Sequence, residues 1–361
     1  MPRFEPRPEI DRVVLYTTPL LAVALTVVAG FFIFLAIGKD PLLTLYHFFI
    51  SPVRDLYGLS ELGVKAAPLI LIATGLALGF RANVWNIGAE GQLTMGAIAG
   101  GGIALLFWNQ EGFWILPLMC LAGIAGGMAY AAIPAFLKTR FGVNEILVSL
   151  MLTYVATLFL SVLVYGPWKD PQGFNFPQTR MFSASAQLPI ILEYTRLHIG
   201  ALVALAVAVA AWVIMSHTLI GLQIRTVGQA PRAAAFAGFD RNRTIWACLL
   251  ASGGLAGLAG LFEVAGPIGQ LIPILTPGYG FTAIIVAFLG RLHPIGIIFA
   301  GLLMALSYIG GENAQVEVGL PQAVTGVFQG LLLFFLLATD FLTRYRLRRP
   351  AAGTSRADAR A

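Results

Sequence analysis

The chain has 361 residues, 58% of them hydrophobic and only 11% charged, against roughly 25% charged in soluble domains. Several apolar runs exceed the roughly 18–20 residues that cross a bilayer, which excludes a soluble globular protein and predicts an all-α polytopic membrane protein with one membrane domain. The net charge of +6 is spread over loops and tails, so it does not point to nucleic acid.

Residues 1–12 form a polar N-terminal segment with Arg3, Arg7 and Arg12. The first apolar run, Val13 to Gly38, is too long for a signal-peptide core and lacks a cleavage site, so it reads as a retained span. Residues 39–61 mix charges with Leu42, Leu45, Tyr46 and Phe49, a pattern that predicts a helix on the membrane surface. Further spans are predicted near 64–81, 87–107, 113–137, 144–165, 198–216, 244–262, 281–290, 294–310 and 322–341, about ten in all. The eighth is short and follows Pro273, Pro277, Gly278 and Gly280. The membrane domain is thus 13–342, with its longest external loop at 166–197 and a polar loop at 217–243. Residues 343–361 read as a basic, disordered cytoplasmic tail. With ten spans both termini share a side. That side holds 17 Lys and Arg against six, which places the termini in the cytoplasm. Without the termini the margin is eight to six, so the tails carry much of this assignment. Small-xxx-small pairs (Gly75/Gly79, Gly96/Gly100, Gly123/Gly127, Gly253/Gly257, Gly326/Gly330) argue for close helix packing.

One stretch, Phe80 to Gly96, places Arg81, Asn83, Asn86, Glu90 and Gln92 between apolar flanks. A charge at a helix centre in lipid costs about 2.5–3.5 kcal/mol on insertion scales. The stretch is therefore either a short cytoplasmic turn or a broken helix lining a transport path. Gly88 and Gly91 are expected to permit the bend. Asn83, Asn86, Glu90 and Gln92 are expected at the path. Arg81 is the nearest partner in sequence for Glu90, though nine residues span two and a half helical turns, so only a break unites them.

No catalytic constellation stands out. Cys120 and Cys248 match no metal spacing, and no metal site is expected. His47, His198, His217 and His293 fall near span ends or in loops and read as solvated. No GxxxxGK[ST] loop is present, so ATP-driven transport would need an ATPase on another subunit. The 217–243 loop is the candidate contact for it. Pro231 suits a helix start, Ala233, Ala234, Ala235 and Ala237 favour helix, and Gly238 suits its end.

The run Asn83-Val84-Trp85-Asn86-Ile87-Gly88-Ala89-Glu90-Gly91-Gln92 resembles the signature of permease subunits of bacterial ABC importers for nucleosides and simple sugars, the branch served by basic-membrane-protein-type binding lipoproteins. Gly142-Val143-Asn144-Glu145 with Leu150-Met151-Leu152 agrees, as do 221–239 followed by the glycine-rich 251–260, and Gly278-Tyr279-Gly280-Phe281 running on to Pro294-Ile295-Gly296. The resemblance is collinear over roughly 60–340. It departs in two places. Arg232-Ala233-Ala234 with Gly238 keeps the importers' coupling pattern without its glutamate, and Thr153 stands where asparagine is common.

The resemblance implies an inner-membrane permease for nucleosides or related small polar solutes. Two permease subunits, often paralogues, would surround one path, with two cytoplasmic ATPases and an extracytoplasmic binding protein. It implies no cofactor and no enzymatic step on this chain, with ATP and magnesium held by the ATPase. It adds Asn144, Glu145 and Thr153 to the path residues and assigns ATPase coupling to Arg232, Ala233, Ala234 and Gly238. Lys169, Arg180 and Arg196 in the external loop are expected to meet the binding protein. The alternative is an ion-coupled secondary transporter, for which Glu90, Glu145 and Glu263 are the intramembrane candidates. A membrane enzyme is disfavoured by the missing catalytic groups.

Overall fold

A computed structural model describes residues 3–6 and 12–348, with side chains from 17 to 339. Thirteen helices are found among the described residues: α1 (Arg12–Ala36), α2 (Pro41–Phe49), α3 (Leu56–Arg81), α4 (Ala89–Leu106), α5 (Ile115–Phe141), α6 (Glu145–Tyr165), α7 (Gly200–His217), α8 (Leu219–Gln229), α9 (Pro231–Phe236), α10 (Arg241–Glu263), α11 (Tyr279–Leu289), α12 (Pro294–Val318) and α13 (Gln322–Arg344). Eight of them are long and apolar enough to cross a membrane. The sequence predicts ten spans; the 18-residue α4 and the 11-residue α11, which lie at two of them, are not among the eight. At 1.5 Å per residue, α11 rises about 16 Å, half of a hydrocarbon core of roughly 30 Å.

The chain forms two compact units. One comprises residues 1–46 and 314–361. In it α1 packs along α13, with Gly30 beneath the Phe328 ring. A short ribbon pairs β1 (Arg3–Pro6) antiparallel with β2 (Tyr345–Arg348). The basic tail therefore continues α13 to Arg344 and enters β2, and 349–361 lie outside the described residues.

The second unit, residues 47–313, is built around α3. That helix is apolar on all sides and buried at nearly every position from Val64 to Phe80, as expected of a helix enclosed by protein. It packs against α7, α10 and α11, while α4 packs against α5, α6 and α10. Glycines set the α4–α5–α10 seam. A Cβ at Gly127 would lie 2.9 Å from the Gly257 Cα, and one at Gly96 would overlap that same Cα. Gly75 lets α3 meet α10, where a Cβ would lie 2.8 Å from the Ser252 Cα. Gly326 and Gly330 on α13 have open space beside them.

Helix ends follow local side-chain chemistry. Asp55, Asn144, Thr218 and Asp240 cap α3, α6, α8 and α10 by accepting backbone N–H bonds. Gly142 ends α5 at a left-handed φ of 67°. The Asp55 cap explains one difference from the sequence reading. Residues 39–61 are not a single surface helix, because α3 already starts at Leu56, preceded by α2 and a 3-10 turn at Ser51–Val53.

Candidate functional site

The break between α3 and α4 occupies residues 82–88. The bend is made by Asn83, in the left-handed region at φ 58°, a conformation asparagine tolerates better than most residues. Its Oδ1 accepts a 3.1 Å bond from Trp85 Nε1, and the indole stacks near Phe80 and Phe288. Gly88 has an ordinary φ of −88°, so it is not the bending residue. Gly88 and Gly91 serve close approach to α6 instead. A Cβ at Gly88 would lie 2.6 Å from the Ser149 carbonyl oxygen, and one at Gly91 2.8 Å from the Thr153 Cα.

Asn86, 1% exposed, is fully occupied. Its Nδ2 donates to Gln92 Oε1 at 2.7 Å and to Ser252 Oγ at 2.9 Å. Its Oδ1 accepts from Gln92 Nε2 at 3.0 Å and from the Gly88 amide at 3.2 Å. This reciprocal amide pair clamps the break onto α10. Ser252 and Ser149, whose hydroxyl accepts from the Ile87 amide at 3.3 Å, were missed in the sequence because serine inside an apolar helix gives no signal of its own.

Arg81 is not the partner of Glu90. The Glu90 carboxylate accepts from the Thr276 hydroxyl and from the Gly280 amide in the first turn of α11, where the helix dipole favours an anion. Gly278 precedes that turn at φ 95°, and a Cβ at Gly280 would overlap the Glu90 amide nitrogen. The Gly278-Tyr279-Gly280 run thus has two distinct glycine requirements, left-handed backbone and close approach.

Glu145 accepts from the Lys138 ammonium and, at 3.3 Å, from the Trp85 amide, tying the α5–α6 turn to the break. Asn144 is exposed and accepts from Ile146 N at 2.9 Å as the α6 cap. Thr153 is buried, donates to the Ser149 carbonyl at 3.2 Å and faces Gly91. The structure therefore gathers Asn86, Gln92, Glu145 and Thr153 around the break, while Asn83 and Asn144 remain exposed.

At the opposite ends of α3 and α10 lie charges that sequence separation concealed. Glu61 pairs with Arg196, 135 residues away, and Lys65 with Glu312 at 3.1 Å. Glu263 is buried at the end of α10, in the field of Lys65 and Arg196. The loop 166–199 is laced onto the segment after α10. Leu188 N donates to Ala265 O at 2.9 Å, Phe182 N to Gly269 O at 2.8 Å and Thr179 N to Leu271 O at 3.0 Å. Its cations have partners within the chain. Lys169 donates to Asn175, Arg180 lies 5.0 Å from the Trp108 ring centre, and Arg196 holds Glu61. Phe174 (94% exposed) and Tyr194 (97%) face out. His198, expected to be solvated, is buried against Phe262 and Gly266, and its Nδ1 accepts from Gly200 N at 3.2 Å. Burial pushes its pKa down to about 4.

The 217–243 loop folds as α8 and α9, with Gly238 at φ 79° just beyond α9. Ala234 is 2% exposed and anchors α9. Arg232, Ala233 and Gly238 are exposed, and Phe236, which the sequence reading passed over, is 96% exposed. A Cβ at Gly228 would overlap the Arg81 carbonyl oxygen, so α8 lies directly against the end of α3. The break and the α8–α9 segment thus share one end of the helix bundle.

Residues 58–337 match the family described as branched-chain amino acid transport system / permease component. The chain is similar to the glucose ABC transporter permease of Haloferax volcanii, at 37% identity over 96% of this chain and 93% of the relative. It is also similar to the guanosine ABC transporter permease NupP of Bacillus subtilis, at 31% over 91% and 94%, and to the nucleoside ABC transporter permease NupB of Lactococcus lactis, at 28% over 92% and 93%. A buried, glycine-seamed helix bundle with a short small-residue helix at one end accords with these matches. The chain belongs to this permease family: it is the membrane-spanning permease of an ABC uptake system, a multi-pass protein of the bacterial inner membrane.

Proposed function

We propose that the permease carries neutral sugar-bearing solutes, nucleosides first, and that it pairs with a paralogous second permease. The relatives support both parts. Several are named for guanosine or nucleosides and others for glucose, and two distinct guanosine permeases come from the same Bacillus subtilis strain. An ATPase subunit, holding ATP and magnesium, engages α9 on the cytoplasmic side, where both termini also lie. An extracytoplasmic binding protein delivers the solute to the loop 166–199. The role that best fits Asn86, Gln92 and Ser252 is a clamp that sets α4 against α6 and α10, with Glu90 setting α11. Glu145 and Thr153 support the same junction.

The observation that carries the ATPase assignment is the geometry of α9, a six-residue helix anchored by Ala234 that presents Ala233 and Phe236 outward. The test is Phe236→Asp, which leaves the anchor untouched. Uptake is expected to fall at least about tenfold, the effect of losing one interface anchor worth about 1.4 kcal/mol, with membrane insertion unchanged. Undiminished uptake would overturn the assignment. Uptake of labelled guanosine and of labelled glucose, measured separately, identifies the solute. Uptake of glucose without guanosine would replace the nucleoside reading with a sugar.

A further inference from the structure

At the end of α3 remote from α9, Lys65 stands where α3, α11 and α12 meet. Its ammonium pairs with Glu312 of α12 at 3.1 Å and lies 5.9 Å from the centre of the Tyr279 ring at the start of α11. Glu61 lies one turn before Lys65 on the same face of α3 and accepts from Arg196 Nε at 3.0 Å. Charges of alternating sign therefore run from the loop 166–199 across α3 to α12: Arg196, Glu61, Lys65, Glu312.

Two observations set the Lys65–Glu312 pair apart. It is open to solvent on one side, with side chains 19% and 55% exposed, whereas both members of Lys138–Glu145 are largely buried and Glu61 is only 7% exposed. An ion pair that solvent reaches is weak and parts readily. The surroundings are also incompletely satisfied. Thr74 of α3, Tyr279 of α11 and Ser307 of α12 are buried, and none of their hydroxyls has a hydrogen-bond partner among the described residues. Folded proteins pair nearly all buried polar groups, as Asn86 does at the break. Unpaired hydroxyls on all three helices mark a junction with a second arrangement available.

The ties of α11 and α12 show which helix is free to move. The first turn of α11 donates the Gly280 amide to Glu90, and Phe288 near its end stacks on Phe80 at 5.2 Å. Among the described residues Lys65–Glu312 is the one ion pair that joins α12 to α3. The rest of that contact is apolar at Gly301, where a Cβ would lie 2.6 Å from Ile70 Cγ1, and the Phe48 carbonyl rests against Gly310. A neutral hydroxyl bond, Thr282 to Tyr308 at 2.7 Å, links α12 to α11. The two helices join through Arg291 and Leu292, both in the left-handed region at φ 53° and 55°. The turn itself is tight, since a Cβ at Gly290 would lie 2.6 Å from Ile297 N. From Pro294 to Glu312 the helix rises about 27 Å at 1.5 Å per residue, so a small rotation at the turn becomes a large displacement at Glu312.

We propose that Lys65 is the positioning residue of a gate: its bond to Glu312 holds the end of α12 closed on α3, and the two part once in each transport cycle. α11 stays with α4 through Glu90 while α12 pivots on the Arg291–Leu292 turn. Parting exposes the Tyr279 and Ser307 hydroxyls, which then meet water or a polar solute. The inference goes beyond the proposed function and depends on no particular solute.

The test locks the gate. Lys65→Cys/Glu312→Cys, in a chain that also carries Cys120→Ala and Cys248→Ala, is joined by a reducible bifunctional methanethiosulfonate. ATP hydrolysis by the complete complex in nanodiscs is then measured with and without the binding protein. Cross-linking is expected to cut hydrolysis at least about tenfold, because a locked element cannot shift its population, with the thermal transition kept and activity restored by dithiothreitol. The single-cysteine variants, treated alike, should stay active. A pair that merely braces the fold remains closed throughout, so full cross-linking with unchanged hydrolysis overturns the gate. If the untreated complex hydrolyses ATP but does not respond to the binding protein, the binding-protein reading fails, and basal hydrolysis with and without the cross-link still decides the gate. Glu312→Gln is the readout if the double-cysteine protein does not fold. Loosening the closed state should raise basal hydrolysis about two- to fivefold, the population shift that an exposed ion pair permits. A lowered thermal transition with unchanged basal hydrolysis would make the pair a brace and overturn the proposal.

Discussion

Asn83 and Asn86 are three residues apart and do different work. Asn83 turns the chain through a left-handed backbone, whereas Asn86 spends its whole hydrogen-bonding capacity on Gln92, Ser252 and Gly88. Both polar residues were conspicuous in the sequence, but their division of labour was not, because it depends on a serine of α10 that lies 166 residues away. His198 illustrates the same limit. Its place between a loop and a span gave no hint of burial, and only the packing of Phe262 and Gly266 around it made the neutral ring the stable form. The sign of its effect follows from a folded-state pKa of about 4 against an ordinary value of 6.5. As pH falls, the unfolded chain takes up this proton first, so the stabilisation is complete above about 6.5 and is lost progressively toward pH 4. The loss is on the order of 3 kcal/mol. Thermal unfolding in detergent between pH 7 and pH 4 should therefore be steeper for wild type than for His198→Gln, which keeps an acceptor for the Gly200 amide. Parallel curves would remove His198 from the acid response.

The elements themselves were largely legible. Each predicted span falls on a helix, eight of them long and apolar enough to cross a membrane, and α9 ends beside Gly238 as its proline and glycine predicted. Boundaries shifted where a capping side chain decided them, as at Asp55. The glycine pairs were legible as close-packing signals, but not as a three-helix seam with named partners. Gly96 is the sharpest case, since an added Cβ would overlap the Gly257 Cα and both atoms belong to rigid backbone. Gly96→Ala should force α4 and α10 apart and cost about 1–3 kcal/mol, read as a lower melting temperature and reduced folded yield. Gly326→Ala, beside open space on α13, is the matched control and should leave both unchanged. Equal behaviour of the two variants would show that the seam yields more readily than its geometry implies.

For the whole molecule, the loop 166–199 is the informative piece. Its composition marked it as external and long, and its cations suggested docking, yet Lys169, Arg180 and Arg196 are each engaged within the chain. Phe174 and Tyr194 are its most exposed large hydrophobic side chains. Because the loop is hydrogen-bonded to residues 265–271, and Thr276 and Gly280 beyond them hold Glu90, a force applied to the loop has a short covalent and hydrogen-bonded route to the start of α4. Under the proposed function, Phe174 and Tyr194 are the anchors for the binding protein. Replacing both by Asp should raise the binding-protein concentration that half-stimulates ATP hydrolysis by about tenfold, as loss of an interface anchor predicts, without changing basal hydrolysis. A stimulation curve that does not move would make the loop a connector.

The sequence alone determined what depends on composition and short-range chemistry. Membrane residence follows from the length of apolar runs, helix ends from caps, glycines and prolines, and the permease resemblance from contiguous motifs. The tertiary structure decided every pairing that joins distant positions: Glu90 to the start of α11 and not to Arg81, Asn86 to Ser252, and Glu61 to Arg196. The physical reason is that an intramembrane polar group must be satisfied by some partner, a requirement visible in the sequence. Which partner satisfies it depends on which helix faces the glycines allow to meet, and the Gly75, Gly96 and Gly127 contacts bring α3, α4, α5 and α10 together only in the folded bundle.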